Sequence, residues 1–305
     1  MKSIITAILL LGVAMHVHSQ TPTDDLMMKK GQICIAALYE YGTWDQYWEG
    51  KYLRGNQNIG TLTRQMVMPM VAFGITDKFN LIVGLPYVRT EASGGNMDGV
   101  KGIQDLSFSL KNKWLEKEAW KGKVSLFTNI SFNTPASNYL SDYIPFSIGL
   151  GTQELGARAI AAYRLNQGLY FRGSLAYLWR GQTEAERPYY YNNGSYYTTF
   201  MDVPNAMNYN LTIGQWLLEN RLRVEATYAN LYCLSGDDIR SYNMGQPTNK
   251  MDFAFVGGFA QYYLKNVKGL GIIGYYNHFV NGRNMGKFDM IGGGLNYQFQ
   301  LIAQK

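Results

Sequence analysis

The sequence predicts an all-β fold, an antiparallel transmembrane β-barrel of about twelve strands. Three observations carry that expectation. Short segments with apolar and polar residues in strict alternation follow one another along most of the chain. Beyond the N-terminus no apolar run reaches the roughly 18 residues that a membrane helix needs. The connections between the alternating segments are long and short by turns, as external loops and periplasmic turns are in outer-membrane barrels. Composition agrees, because 33 Gly and 24 Tyr against 8 Pro suit many strands joined by tight turns.

Met1-Lys2 followed by the apolar stretch from Ile4 to Val17 reads as a secretory signal. Cleavage after Ser19 would leave Gln20 or Thr21 first. No Cys follows, so a lipoprotein is not expected. Residues 1–19 are therefore expected to be removed, and 20–305 to form one outer-membrane barrel domain. The formal charge of +6 is spread along the chain without a basic block, so a nucleic-acid partner is excluded. Cys34 and Cys233 fall in separate strand-like runs, which argues against a disulfide scaffold.

Strands are expected near 31–42, 60–75, 78–90, 101–114, 121–133, 148–165, 168–182, 205–218, 221–233, 250–265, 267–280 and 286–301. In the fourth, Leu106, Phe108 and Leu110 alternate with Asp105, Ser107, Ser109 and Lys111. In the seventh, Phe171, Leu175, Tyr177 and Trp179 oppose Arg172, Ser174 and Arg180. The fifth sets Val124, Leu126 and Ile130 against Ser125, Asn129 and Ser131, and the ninth sets Leu222, Val224 and Ala226 against Arg223 and Glu225. Links 43–59, 91–100, 134–147, 183–204 and 234–249 are long, and those at Thr76-Asp77, Asn166-Gln167 and Glu219-Asn220 are brief. This puts both ends of the barrel chain on the periplasmic side. Interfacial girdles are expected from Phe79, Trp114, Trp120, Tyr163, Trp216, Tyr262 and Tyr297 on the turn side, and from Tyr41, Trp44, Tyr87, Trp179, Tyr209, Tyr228 and Phe279 on the loop side.

Residues 73–88, FGITDKFNLIVGLPYV, describe a strand, a tight turn and a strand ending in Leu-Pro-Tyr, and Gly102-Ile103-Gln104-Asp105-Leu106 opens the next strand after a Gly-rich loop. This stretch resembles the barrel family named for the meta-pathway of phenol degradation, the MetA-like family. The resemblance implies an outer-membrane channel associated with uptake of aromatic or hydrophobic compounds. Two features depart from related barrels. The chain continues past Phe299 to Lys305, where barrels commonly close on an aromatic. Only about ten residues precede the first strand, so no plug is expected.

Projecting the alternation inward lines the pore with Arg64, Lys111, Lys113, Arg158, Arg164, Arg172, Arg180, Arg221 and Arg223 against Asp105, Glu154 and Glu225. A basic excess in a water-filled pore favours anions. The same charges would instead pair with one another across a narrow, plugged interior. In the loop 183–204, Tyr189, Tyr190, Tyr191, Tyr196 and Tyr197 are candidates for binding a ring or a sugar, or for capping the other loops. The external acidic residues Asp45, Glu49, Glu91, Asp98, Asp142, Glu184, Glu186, Asp202, Asp237 and Asp238 offer contacts to lipopolysaccharide through divalent cations, although no spacing matches a calcium loop.

A serine hydrolase in the barrel wall needs a His beside a Ser. Once the signal is gone His278 is the sole histidine, and its own strand supplies no Ser in phase. Gly269-Leu270-Gly271-Ile272-Ile273-Gly274 has dinucleotide-binding spacing but opens a strand, and Gly292-Gly293-Gly294 suits close packing in the last one. The reading is a passive channel for small solutes, aromatic or anionic, with no catalytic residue, cofactor or metal. An outer-membrane acyl hydrolase and a structural or adhesive barrel are the alternatives. Expected partners are outer-membrane lipid and lipopolysaccharide, the small-molecule solute and the barrel-assembly machinery.

Overall fold

A computed structural model of the chain describes residues 20–240 and 245–302; the expected signal segment lies outside the described residues. Among the described residues no helix is long and apolar enough to cross a membrane. The strands are β1 (Gln32–Trp44), β2 (Leu62–Gly74), β3 (Phe79–Gly84 continuing as Tyr87–Ala92), β4 (Lys101–Ile103 continuing as Asp105–Ala119), β5 (Gly122–Pro135), β6 (Glu154–Leu165), β7 (Leu169–Arg180), β8 (Ala206–Leu217), β9 (Leu222–Cys233), β10 (Asp252–Tyr263), β11 (Leu270–Arg283) and β12 (Asp289–Gln300). Leu85-Pro86 interrupts β3, because proline has no N–H to give to the ladder.

Each strand pairs antiparallel with its neighbours in sequence, and β1 pairs with β2 on one side and β12 on the other. The sheet therefore closes as a twelve-stranded antiparallel barrel. Closure leaves no edge whose backbone groups would face hydrocarbon unpaired.

One rim carries the tight turns. At the β2–β3 turn, Thr76 Oγ1 accepts from the N–H groups of Lys78 and Phe79. Trp120 (φ 52°) turns β4 into β5, and Gly168 (φ 92°) turns β6 into β7. The other rim carries the loops between β1 and β2, β5 and β6, β7 and β8, and β9 and β10. Several expected boundaries move, the largest shifts being that β6 starts at Glu154, since residues 148–153 belong to a loop, and that β4 runs on to Ala119; β11 runs on to Arg283.

Side chains alternate as the period-two pattern requires. Leu110, Leu126, Ile130, Phe171, Leu175, Leu211, Val256, Ile291 and Leu295 point outward and are exposed, Leu175 at 49%. A band of this kind around every side is unsustainable in water and suits lipid. Trp114, Trp120, Phe79 and Tyr297 ring it at the turn side, and Tyr41, Tyr87, Trp179, Tyr209 and Tyr228 at the loop side. Three expected girdle residues face inward instead. Trp44 packs with Ile59, Leu62 and Phe146, Trp216 with Leu26 and Tyr170, and Phe279 with Phe253 and Phe255. Each has the inward parity of its strand, which overrides its position near the rim.

The second correction concerns the N-terminal segment. Residues 20–30 enter the barrel from the turn rim and fill that end of the lumen. Gly31 donates to Gly74 O, and Lys30 N–H to Asp77 Oδ1. Met28 is fully buried among Cys34, Ala72 and Ile82, and Leu26 lies in a cluster with Tyr170, Trp216 and Tyr263. These eleven residues suffice as a plug because inward side chains of the size of Arg, Tyr and Trp leave little lumen to fill.

A candidate solute pathway and its plug

The turn-side half of the lumen is an ion-pair network organised by two carboxylates of the N-terminal segment. Asp24 Oδ1 stands 2.6 Å from Lys111 Nζ, both fully buried. Asp25 bridges Arg164 and Arg172, each at 3.1 Å. Arg172 also meets Glu225 at 2.9 Å, and Arg223 approaches Glu225 at 2.5 Å. Charges this dry persist only when paired and hydrogen-bonded.

Two tyrosines brace these carboxylates, and each lies over a glycine that is its register partner. Tyr170 faces Gly214 and donates to Glu225 at 2.5 Å. Tyr275 faces Gly292 and donates to Glu40 at 3.0 Å, and Glu40 takes the Arg64 guanidinium at 3.3 Å. A Cβ on Gly292 would stand 2.1 Å from the Tyr275 ring, so no side chain fits there.

Toward the loop rim, Arg180 pairs with Glu154 at 2.7 Å, and Glu154 also accepts from Asn133. Asp105 accepts from the Tyr139 hydroxyl of the β5–β6 loop. Arg158 stands apart: its guanidinium donates to Ser174 Oγ at 2.9 Å and Asn208 Oδ1 at 2.7 Å, both neutral. Lys113 and Arg221 sit near the turn rim beside Glu116 and Glu219. The structure thus brings most of the expected inward charges into pairs, and adds Asp24, Asp25 and Glu40 as partners.

Above the plug lies a chamber of about 420 Å³. Its apolar side includes Leu38, Met70, Phe253, Phe255 and Phe259, its neutral polar side includes Asn208, Asn210, Thr212 and Asn277, and the charged Arg172, Arg223 and Glu225 also line it, with Thr21 and Thr23 of the segment at its base. The inward phenylalanines of β10 are absent from the expected pore lining, which follows charged residues alone. They share a face with Gln261, and that parity is their sequence signal.

The loops pack over the other end. Phe146 of the β5–β6 loop is buried against Trp44, Ile59 and Leu62, and its carbonyl accepts from Thr90. In the 183–204 loop, Tyr190 pairs with Tyr196 in a small hairpin, the rings stacked 5.0 Å apart. Tyr190 packs on Ala185 and Met201, whereas Tyr189, Tyr191, Tyr196 and Tyr197 are exposed, and none of the five lines the chamber. Between the β9–β10 loop and the end of β11, Asp238 pairs with Arg283 at 2.6 Å and accepts from Asn284. That hydrogen bond from Arg283 holds the Asp238 carboxyl below the usual carboxylate range, against the opposing effect of burial.

His278 lies on the outward face, its Nδ1 2.7 Å from Asp289 Oδ1, and Tyr276 donates to the same oxygen. Its cross-strand neighbour on β10 is Val256. Among the described residues no Ser, Thr or Cys hydroxyl or thiol hydrogen-bonds to the ring, and no cluster of His, Cys, Asp and Glu has the form of a metal site.

The chain matches no protein-family model and no curated protein. Among solved structures it is similar to the COG4313 outer membrane channel from Pseudomonas putida F1, with a TM-score of 0.72 and 13% identity over 92% of this chain and 100% of that one. Weaker similarities include the NanC porin (TM-score 0.48, 8% identity, 85% of this chain and 98% of that one) and the translocator domain of the autotransporter NalP from Neisseria meningitidis (TM-score 0.45, 14% identity, 98% and 93%). The first of these shows the fold, that of an outer-membrane β-barrel.

Proposed function

We propose that the protein is a passive outer-membrane channel for small solutes, held closed at its periplasmic end by residues 20–30. The observation that carries this reading is a lipid-facing closed barrel whose interior holds a partly polar chamber, blocked by a non-covalently docked N-terminal segment rather than by strand side chains alone. The segment is held to the wall through ion pairs with β4, β6 and β7 and through the packing of Leu26 and Met28, so its release would join the chamber to the turn rim without breaking any strand pairing. A likeness of fold does not by itself give a function. The resemblance of residues 73–114 to the MetA-like family and the fold shared with a Pseudomonas putida channel both support transport.

In this reading residues 1–19 direct export and are removed, and the barrel-assembly machinery inserts the chain. The outward apolar band meets outer-membrane lipid, and the acidic external loops meet lipopolysaccharide. Catalysis is not part of the proposal, since His278 has an orienting carboxylate in Asp289 but, among the described residues, no nucleophile bonded to it.

Planar-bilayer recording of the purified protein tests it. The intact protein should show low conductance with brief openings, and a variant lacking residues 20–28 should show a steady, several-fold larger one. If neither conducts while both remain folded barrels, the channel reading fails.

A further inference from the structure

Three charged side chains line the chamber, Arg172, Arg223 and Glu225, and they are bound to one another. Glu225 Oε1 accepts from Arg172, Arg223 and Tyr170, and Oε2 accepts from Arg172 again. Arg172 also donates to Asp25 and Thr212. Each of the three charged side chains is at most 7% exposed. The floor of the chamber is thus committed to its own pairs and offers an entering ion little counter-charge.

Two neutral amides on the same lining are not so engaged. Asn210 of β8 and Asn277 of β11 are half-buried, and among the described residues neither side chain has a hydrogen-bond partner. Each carboxamide carries two N–H donors and a carbonyl acceptor. Asn277 is placed by a glycine: Gly257 is its register partner on β10, and a Cβ there would overlap Asn277 Oδ1. The amide therefore leans across the β10 backbone between Phe255 and Phe259, which line the chamber on either side of Gly257. Next to Gly257 on β9 is Thr227, whose hydroxyl meets that of Thr212 at 3.0 Å, and Asn210 stands two residues along the inward face of β8 from Thr212. A neutral polar strip thus runs from Asn277 to Asn210, while Leu38, Met70 and the β10 phenylalanines supply apolar area.

Water can satisfy both amides but gains nothing at the rings. An ion brought among the phenylalanines loses hydration without finding a partner charge. A neutral group that both donates and accepts matches what the two amides leave open. The chamber volume of about 420 Å³ lies within the range of small-molecule sites, about 300–1,000 Å³. We infer that the chamber is a binding site for a small uncharged carboxamide with an apolar body. The ligand N–H donates to Asn277 Oδ1, its carbonyl accepts from Asn210 Nδ2, and the phenylalanines hold the body. This rests on the channel reading only for its role in transport; the site itself does not require conduction.

Calorimetric titration of the full chain in nanodiscs, with empty nanodiscs subtracted, tests the site using hexanamide, hexanoate and hexylammonium, which differ in the head group. Hexanamide should bind, and each ion should bind at least about tenfold more weakly. Asn277→Leu, which removes the amide at similar volume, should weaken hexanamide by about tenfold. Gly257→Ala, which displaces the same amide without changing its chemistry, should weaken it as well. Equal binding of hexanamide and hexanoate by the unaltered protein overturns the inference and needs no variant. So does the absence of hexanamide binding, or a folded Asn277→Leu variant that binds it as before. Conductance without hexanamide binding overturns this site and leaves the channel standing, and hexanamide binding without conductance does the reverse.

Discussion

The ring of Tyr170 lies across Gly214, its register partner on β8, so closely that a Cβ on that glycine would stand 2.3 Å from the ring. The glycine thereby holds a tyrosine flat against the wall, with its hydroxyl on Glu225 and its face against Leu26. Gly214→Ala should push the ring into the lumen and dislodge the segment at Leu26. Overpacking of this kind costs about 1–3 kcal/mol. Urea unfolding in detergent micelles should show the loss, and protease should cut residues 20–30 faster than in the unaltered protein.

Asp24 and Lys111 form a dry ion pair, and removing one partner leaves the other charge stranded. Asp24→Ala should destabilise the docked segment by about 3–5 kcal/mol. Replacing both residues, with Asp24→Ala and Lys111→Met together, should recover much of that. The population of open events in bilayers is the measure, and equal behaviour of the single and double variants would contradict the pairing.

Leu175 lies in the middle of β7 on the outward band. Leu175→Lys should destabilise the barrel by about 2–4 kcal/mol in a bilayer, the cost of a cation near the midplane. Asn210→Lys, on the inward face of the neighbouring β8, carries no lipid penalty. Refolding yields into lipid vesicles separate the two faces.

Asp238 binds Arg283 at the loop rim with its carboxyl held below the ordinary 3.8. A depressed acid contributes stability that is complete above its unfolded value and disappears as pH falls through the folded one. The clamp between the β9–β10 loop and β11 should therefore be indifferent to pH from neutrality to about pH 5 and loosen only below 3.8. Limited proteolysis within residues 234–251 over that range is the check. Loosening near pH 6 would contradict it.

The barrel was legible because lipid and water select opposite residue types on alternate positions, so Phe108, Leu110, Phe171 and Leu175 declare their face in any short window. The inward girdle exceptions follow from the same parity, which a rule about rim position ignores for Trp44, Trp216 and Phe279. The plug was not legible from its own residues, since Asp24-Asp25 ahead of a first strand has the look of a solvated leader. Its imprint lay elsewhere. Arginines and lysines exceed the acids on the inward faces in part because two of the counter-charges, Asp24 and Asp25, are carried by a segment outside the strands. Arg158 was legible as inward but not as unpaired, since pairing depends on which strands close beside β6.

Asp25 is joined to Arg172 across 147 positions of sequence and to Arg164 across 139. Although residues 20–30 precede every strand in the chain, Asp24 and Asp25 have no cations to pair with until β4, β6 and β7 stand in register. Contacts so distant in sequence form late. On the channel reading, docking of the N-terminal segment would then report on barrel assembly as well as close the lumen: a barrel with a slipped or missing strand would present the wrong cations to Asp24 and Asp25. Such a barrel would leave its leading peptide hanging in the periplasm, where proteases can find it.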